Sequence, residues 1–86
     1  MTYEWDDTKR YTNADKHRTD FEHVDEFDWD TAKMEPDPRD AEERYRAFGF
    51  IGDRLHLLVF TLRGDNIRII NLRKATPGEV RRYAAT

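Results

Sequence analysis

Cysteine is absent, so neither a disulfide nor a thiolate metal site can hold this chain together. Burial must supply the stability, and a chain of 86 residues has little interior, since a domain of this size buries roughly 60–65% of its unfolded surface. Glycine and proline are scarce, four and three, so each one punctuates the chain. No apolar run approaches the ~20 residues of a membrane-spanning helix. Glu4, Asp6 and Asp7 near the start are unlike the basic opening of a signal peptide. A single cytosolic domain covering residues 1–86 is expected. Metal chemistry has little to stand on: none of the three histidines falls in a His-x-x-x-His or Glu-x-x-His pair. Hydrophobic residues make up 37% and charged residues 38% of the chain, a balance that leans toward disorder. The aromatics, including Trp5 and Trp29, lean the other way, because each large ring buries much apolar area.

The net charge of −3 conceals two unlike halves. Residues 1–43 hold six Lys/Arg against fifteen Asp/Glu, and residues 44–86 hold nine against three. Either the halves pair with each other in the fold, or the basic half presents a local field to a polyanion despite the acidic total.

The strongest local signal runs from Asn66 to Tyr83. Ile67, Ile69 and Ile70 are β-branched residues following a Gly64-Asp65 turn signal, and predict a strand. Thr76 and Glu79 then form a capping box with Pro77 at the first helical position, predicting a C-terminal helix. Arg68, Arg73, Lys74, Arg81 and Arg82 are mounted on this strand-to-helix corner, a placement suited to holding phosphate.

Ahead of that corner, Thr2 to Trp5 reads as a short edge strand, and Asp6 or Asp7 caps a predicted helix over about residues 8–17. On it Lys9, Asn13, Lys16 and His17 share one face, a polar stripe whose ordinary reading is solvation. Thr19 and Glu22 predict a second, short helix through Phe27 with Phe21 and Val24 inward. Residues 28–41, with Pro36 and Pro38, read as an exposed connection. Residues 42–51, 54–62 and the Ile-rich stretch form a predicted meander, separated by Gly52-Asp53 and Gly64-Asp65. The middle strand is apolar on both faces and is expected at the centre. Together these elements predict an α+β domain: a small antiparallel sheet of three or four strands, two N-terminal helices and a C-terminal helix. The expected inward set is Trp5, Phe21, Val24, Phe48, Phe50, Leu57, Val59, Ile69 and Ile70.

The order Trp5-Asp6, Lys9, Asn13, Lys16-His17, Phe21-Glu22, then Glu43-Arg44, Gly49, Thr61, then Arg68-Ile69-Ile70, Arg73-Lys74-Ala75-Thr76, Glu79 and Tyr83 resembles the BrnT family. Nearly the whole chain is covered, with the most specific matches at its two ends. The resemblance implies a RelE-like fold and a metal-independent endoribonuclease toxin of a type II toxin–antitoxin system, without a cofactor. It also implies an RNA substrate and a cognate BrnA-like antitoxin of the ribbon-helix-helix type, with DNA bound only through the antitoxin complex. Metal-independent RNA cleavage needs a base for the 2′-hydroxyl, a stabiliser for the phosphorane and an acid for the leaving 5′-oxygen. His17 suits the acid or base by its ordinary pKa. Arg44, Arg68 and Arg73 suit the phosphorane, because a guanidinium grips phosphate through two hydrogen bonds. Lys9, Lys16 and Lys74 suit phosphate binding, and Glu43 is a second candidate base. Arg73 has the wrong strand parity to join Arg68, so a convergent site requires a bulge or a strand end between them.

Three stretches depart from the family pattern: Arg18 stands where the family has glycine, Asn71-Leu72 where it has Ser-Ala, and the segment Phe27-Asp28-Trp29-Asp30 is blurred. These bear on activity more than on fold. A non-catalytic module that binds nucleic acid or protein through the same arginines is therefore the alternative reading.

Overall fold

The computed structural model describes residues 2–38 and 43–86. Strand β1 (Thr2–Glu4) leads into helix α1 (Asp7–His17), then a 3₁₀ segment (Phe21–Glu26). Strands β2 (Lys33–Pro36), β3 (Arg44–Ile51), β4 (Arg54–Arg63) and β5 (Asn66–Lys74) follow, and helix α2 (Pro77–Ala85) closes the chain. The strands form one sheet in the order β1-β5-β4-β3-β2. The hydrophobic β4 is thus central, as its two-sided apolar pattern requires.

The sheet is larger than expected and mixed. It has five strands, and β1 runs parallel to β5, with Tyr3 opposite Ile67. Parallel pairing needs a crossover rather than a hairpin, and a sequence pattern does not announce the partner of a three-residue strand. Lys33–Pro36, read as part of an exposed connection, is the edge strand β2, antiparallel to β3. Pro36 is tolerated there because an edge position spares it one ladder hydrogen bond. Glu42, the expected start of β3, lies outside the described residues.

Of the two expected N-terminal helices, α1 is one, capped by Asp6, whose carboxylate accepts from Thr8 N–H at 2.8 Å and Lys9 N–H at 3.2 Å. The other is a 3₁₀ turn, and its cap is Asp20, not Thr19. Thr19 is buried, with its hydroxyl donating to His17 O at 3.3 Å. The predicted capping box at Thr76 and Glu79 is present, with Pro77 in the first turn. Both tight hairpins carry glycine at positive φ, Gly52 at 63° and Gly64 at 58°, which costs glycine no Cβ clash.

Strand alternation divides the apolar side chains between two faces. Ala47, Leu58, Phe60, Ile67, Ile69 and Leu72 face Phe21 and Val24 of the 3₁₀ segment and Phe27 just after it. Trp29, from the segment read as connection, packs edge-on against Phe60 at 5.7 Å and donates from its indole N–H to Tyr3 Oη at 2.6 Å. Phe48, Leu55, Leu57 and Val59 lie on the other face with Ala75, under Tyr83 of α2. Trp5, Phe50 and Ile70 of the expected inward set are only partly buried.

Helix α1 contributes almost no apolar surface; its one buried residue is Asn13. β1 pairs only with residues 66–68 of β5, which leaves the rest of that edge without a strand. Asn13 fills part of the gap: its amide donates to Leu72 O at 2.7 Å and to Thr19 O at 2.8 Å, and accepts from Leu72 N–H at 3.3 Å. The polar stripe on α1 therefore docks on backbone and is not merely solvated. Arg10 holds the other side of the helix, 2.8 Å from Asp20 and 3.0 Å from Glu22.

Candidate functional site

One irregularity in β5 decides where the cations go. Val59 pairs with Asn71 and Phe60 with Ile69, so Ile70 is an extra residue in β5. A bulge of this kind reverses side-chain alternation beyond it. Arg68 lies opposite Thr61 and Arg73 opposite Leu57, two positions of equal parity on β4. Both arginines consequently share the α2 face. Arg44 lies opposite Thr61 from the other side and shares that face too. Lys74, expected with them, pairs with His56 and so belongs to the opposite face, because the same reversal that admits Arg73 excludes its neighbour.

Helix α1 brings Lys9, Lys16 and His17 to a groove shared with Ile70 and Asn71. An adjoining hollow is lined by Lys9, Ile70, Glu43, Thr61 and Arg68. Lys9 and Ile70 belong to both, so His17 and Arg68 stand at two ends of one open surface. Burial, then the charges of Lys16 and Arg73, push the His17 imidazole below its ordinary value. It is therefore neutral near pH 7, with a lone pair available as a base. Asn71, a departure from the family pattern, lines this groove with its Oδ1 buried and without a hydrogen-bond partner.

The three arginines are not equivalent. Arg73 makes a two-pronged bond to Glu79, at 2.7 and 3.0 Å, and Glu79 also accepts from Thr76 N–H at 2.9 Å. The Arg73 guanidinium, with the Thr76 amide, pulls the Glu79 carboxyl down to about 2. Arg44 sits 3.0 Å from the buried Asp37 carboxylate, and its carbonyl accepts from Asp37 N–H at 2.8 Å. Arg68 is held more loosely, 3.5 Å from Glu4, with roughly a third of each side chain exposed. Arg44, Arg46 and Arg68 pair with Asp37, Glu35 and Glu4, so the two charge halves do partly neutralise each other. Lys9, Lys16, Arg18 and Lys74 make no ion pair among the described residues. No cluster of three or more metal-ligating side chains occurs among the described residues, and no helix is long and apolar enough to cross a membrane.

The chain is thus a small α+β protein with an open cationic surface on which His17 is held neutral. The profile of the BrnT ribonuclease toxins of type II toxin–antitoxin systems matches residues 5–79. The chain is similar to the Brucella abortus ribonuclease toxin BrnT, known from a 1.1 Å crystal structure, with a TM-score of 0.73 and 30% identity. That match covers 88% of this chain and 99% of the Brucella one. No curated protein matches the sequence. The chain belongs to the BrnT family of ribonuclease toxins.

Proposed function

We propose that this protein cleaves RNA without a metal ion, through the surface that joins His17 to Arg68, and that a cognate ribbon-helix-helix antitoxin relieves the resulting growth arrest. The carrying observation is the groove that His17 shares with Lys9 and Lys16, continuous through Lys9 and Ile70 with the hollow of Arg68, in which burial and then the charges of Lys16 and Arg73 keep His17 neutral. His17 removes the 2′-hydroxyl proton, that oxygen attacks the adjacent phosphorus, and Arg68 stabilises the charge on the phosphorane; the P–O5′ bond then breaks, the 5′-oxygen leaves with a proton taken from water, and a 2′,3′-cyclic phosphate remains. Lys9 and Lys16 hold neighbouring phosphate oxygens. Glu43 is the second candidate base, in the hollow with Arg68. Arg73 acts through position: it is committed to Glu79 and depresses the His17 pKa from there. Arg44 is committed to Asp37 in the same way.

RNA incubated with purified protein in EDTA tests the chemistry. Arg68→Ala should cut the rate by about 10²–10³-fold, the usual cost of one charge-stabilising donor. Its melting temperature should barely move, because an exposed pair at this distance contributes about 0–1 kcal/mol. The acid limb of kcat/KM should lie below pH 6.5 and disappear in His17→Ala. A second reading is a binding module without catalysis, favoured by the engagement of Arg44 and Arg73 in ion pairs. Wild-type protein that binds RNA but leaves it intact in EDTA would establish that reading instead.

A further inference from the structure

We propose that the groove on the opposite face of the sheet, between Arg18 and Lys74, is a second phosphate-binding subsite for single-stranded RNA. This rests on the ribonuclease reading above and extends the substrate path beyond the His17 groove. The groove holds about 440 Å³ and is lined by Arg18, Thr19, His23, Gly52, His56 and Lys74, among others.

The groove carries an excess of positive charge. Arg18 and Lys74 make no ion pair among the described residues. Glu26, the acidic lining residue, is 3.5 Å from His23 Nδ1. His56 is 5% exposed, its Nδ1 lies 2.9 Å from Arg54 O, and burial favours its neutral form. The groove therefore offers two cations that make no ion pair against one exposed carboxylate, a net excess of one positive charge, above the buried, neutral His56.

Arg18 terminates α1 at φ 56°, ψ 32°, the only non-glycine at positive φ among the described residues. Its N–H closes the helix onto Ala14 O at 2.8 Å, and a glycine would make that bond with less strain. What arginine adds at this position is its side chain, and that side chain lines the groove.

The two grooves are also continuous. Arg18 directly follows Lys16 and His17, and Lys74 directly follows Arg73. The β5 bulge sends Arg73 to one face and Lys74 to the other, so cations run from the His17 groove around the end of α1 into the second groove. A single phosphate would fill only one of these places. A flexible polyanion, with one charge per nucleotide, fills both.

The test uses 2′-O-methyl oligoribonucleotides, which lack the attacking hydroxyl and cannot be cut, as a trimer and a dodecamer. Arg18→Gly should melt at or above the wild-type temperature, which establishes that it folds. It should bind the dodecamer roughly three- to tenfold more weakly at low salt, and its log K against log[salt] slope should fall by about 0.7, the value for one single-strand phosphate contact. Arg18→Gly with Lys74→Gln should lower the slope by about 1.4. Trimer affinity should not change. An unaltered dodecamer slope in the double variant overturns the subsite while leaving the ribonuclease reading intact. The same holds if the double variant weakens only the complex with the antitoxin, which would assign the groove to a protein partner. Failure of the wild type to bind either oligonucleotide overturns both readings together.

Discussion

Glu79→Gln isolates the bond that fastens α2 to the basic corner. Glu79 is the third residue of the capping box and the partner of Arg73, and only 17% of its side chain is exposed. Its carboxyl is held at about 2 instead of 4.5. At about 1.36 kcal/mol per pH unit, that preference sets a ceiling of ~3 kcal/mol on the stabilisation. Both partners touch solvent, so screening reduces the figure to about 1–2 kcal/mol. Glutamine keeps the shape and one acceptor but removes the charge. The variant should therefore melt roughly 5–15 °C lower at pH 7, taking about 4–8 °C per kcal/mol for a domain of this size. The sign of the pH dependence follows from a depressed carboxyl. Its contribution is fully present above pH 4.5 and is lost as pH falls toward 2. Thermal melts by circular dichroism at pH 7, 5, 4, 3 and 2 should show the two curves converging through that window, and comparison of the pair cancels the other acids. A gap of equal size at pH 7 and pH 2 would refute the charge argument and leave cap geometry as the cause.

Asn13→Ala removes both the donor and the acceptor that serve Leu72, and should destabilise by about 2–4 kcal/mol in urea titrations, since buried backbone groups lose their partners. Arg44→Ala exposes the buried Asp37 carboxylate and should cost about 2–4 kcal/mol. Adding Asp37→Asn should recover part of it, whereas no recovery would place Arg44 outside the ion pair. Gly49→Ala should cost about 1–3 kcal/mol, because a Cβ there would stand 2.5 Å from the Phe27 ring. Phe27→Leu in the same chain should give back some stability if that contact is the reason.

The sequence alone determined the elements whose causes are local. Asp6 caps α1, Thr76 with Glu79 and Pro77 start α2, and glycines at 52 and 64 turn the hairpins, because each signal acts within four residues of itself. The central place of β4 was legible because burial on both faces leaves a two-sided apolar run. The family was legible as well, from the spacing of Trp5 through His17 and of Arg68 through Glu79. Tertiary structure alone decided the rest. A three-residue β1 carries too little pattern to choose a parallel partner, and Lys33–Pro36 becomes a strand only because β3 offers it an edge. Asn13 looks solvated until the open backbone of Leu72 arrives beneath it. The cations were visible as a set, but their distribution was not. A single extra residue at Ile70 puts Arg73 on the same face as Arg68 and sends Lys74 to the far face. Nothing in the spacing of Arg68, Arg73 and Lys74 specifies where β4 and β5 slip, because that register is set by packing across both faces of the sheet.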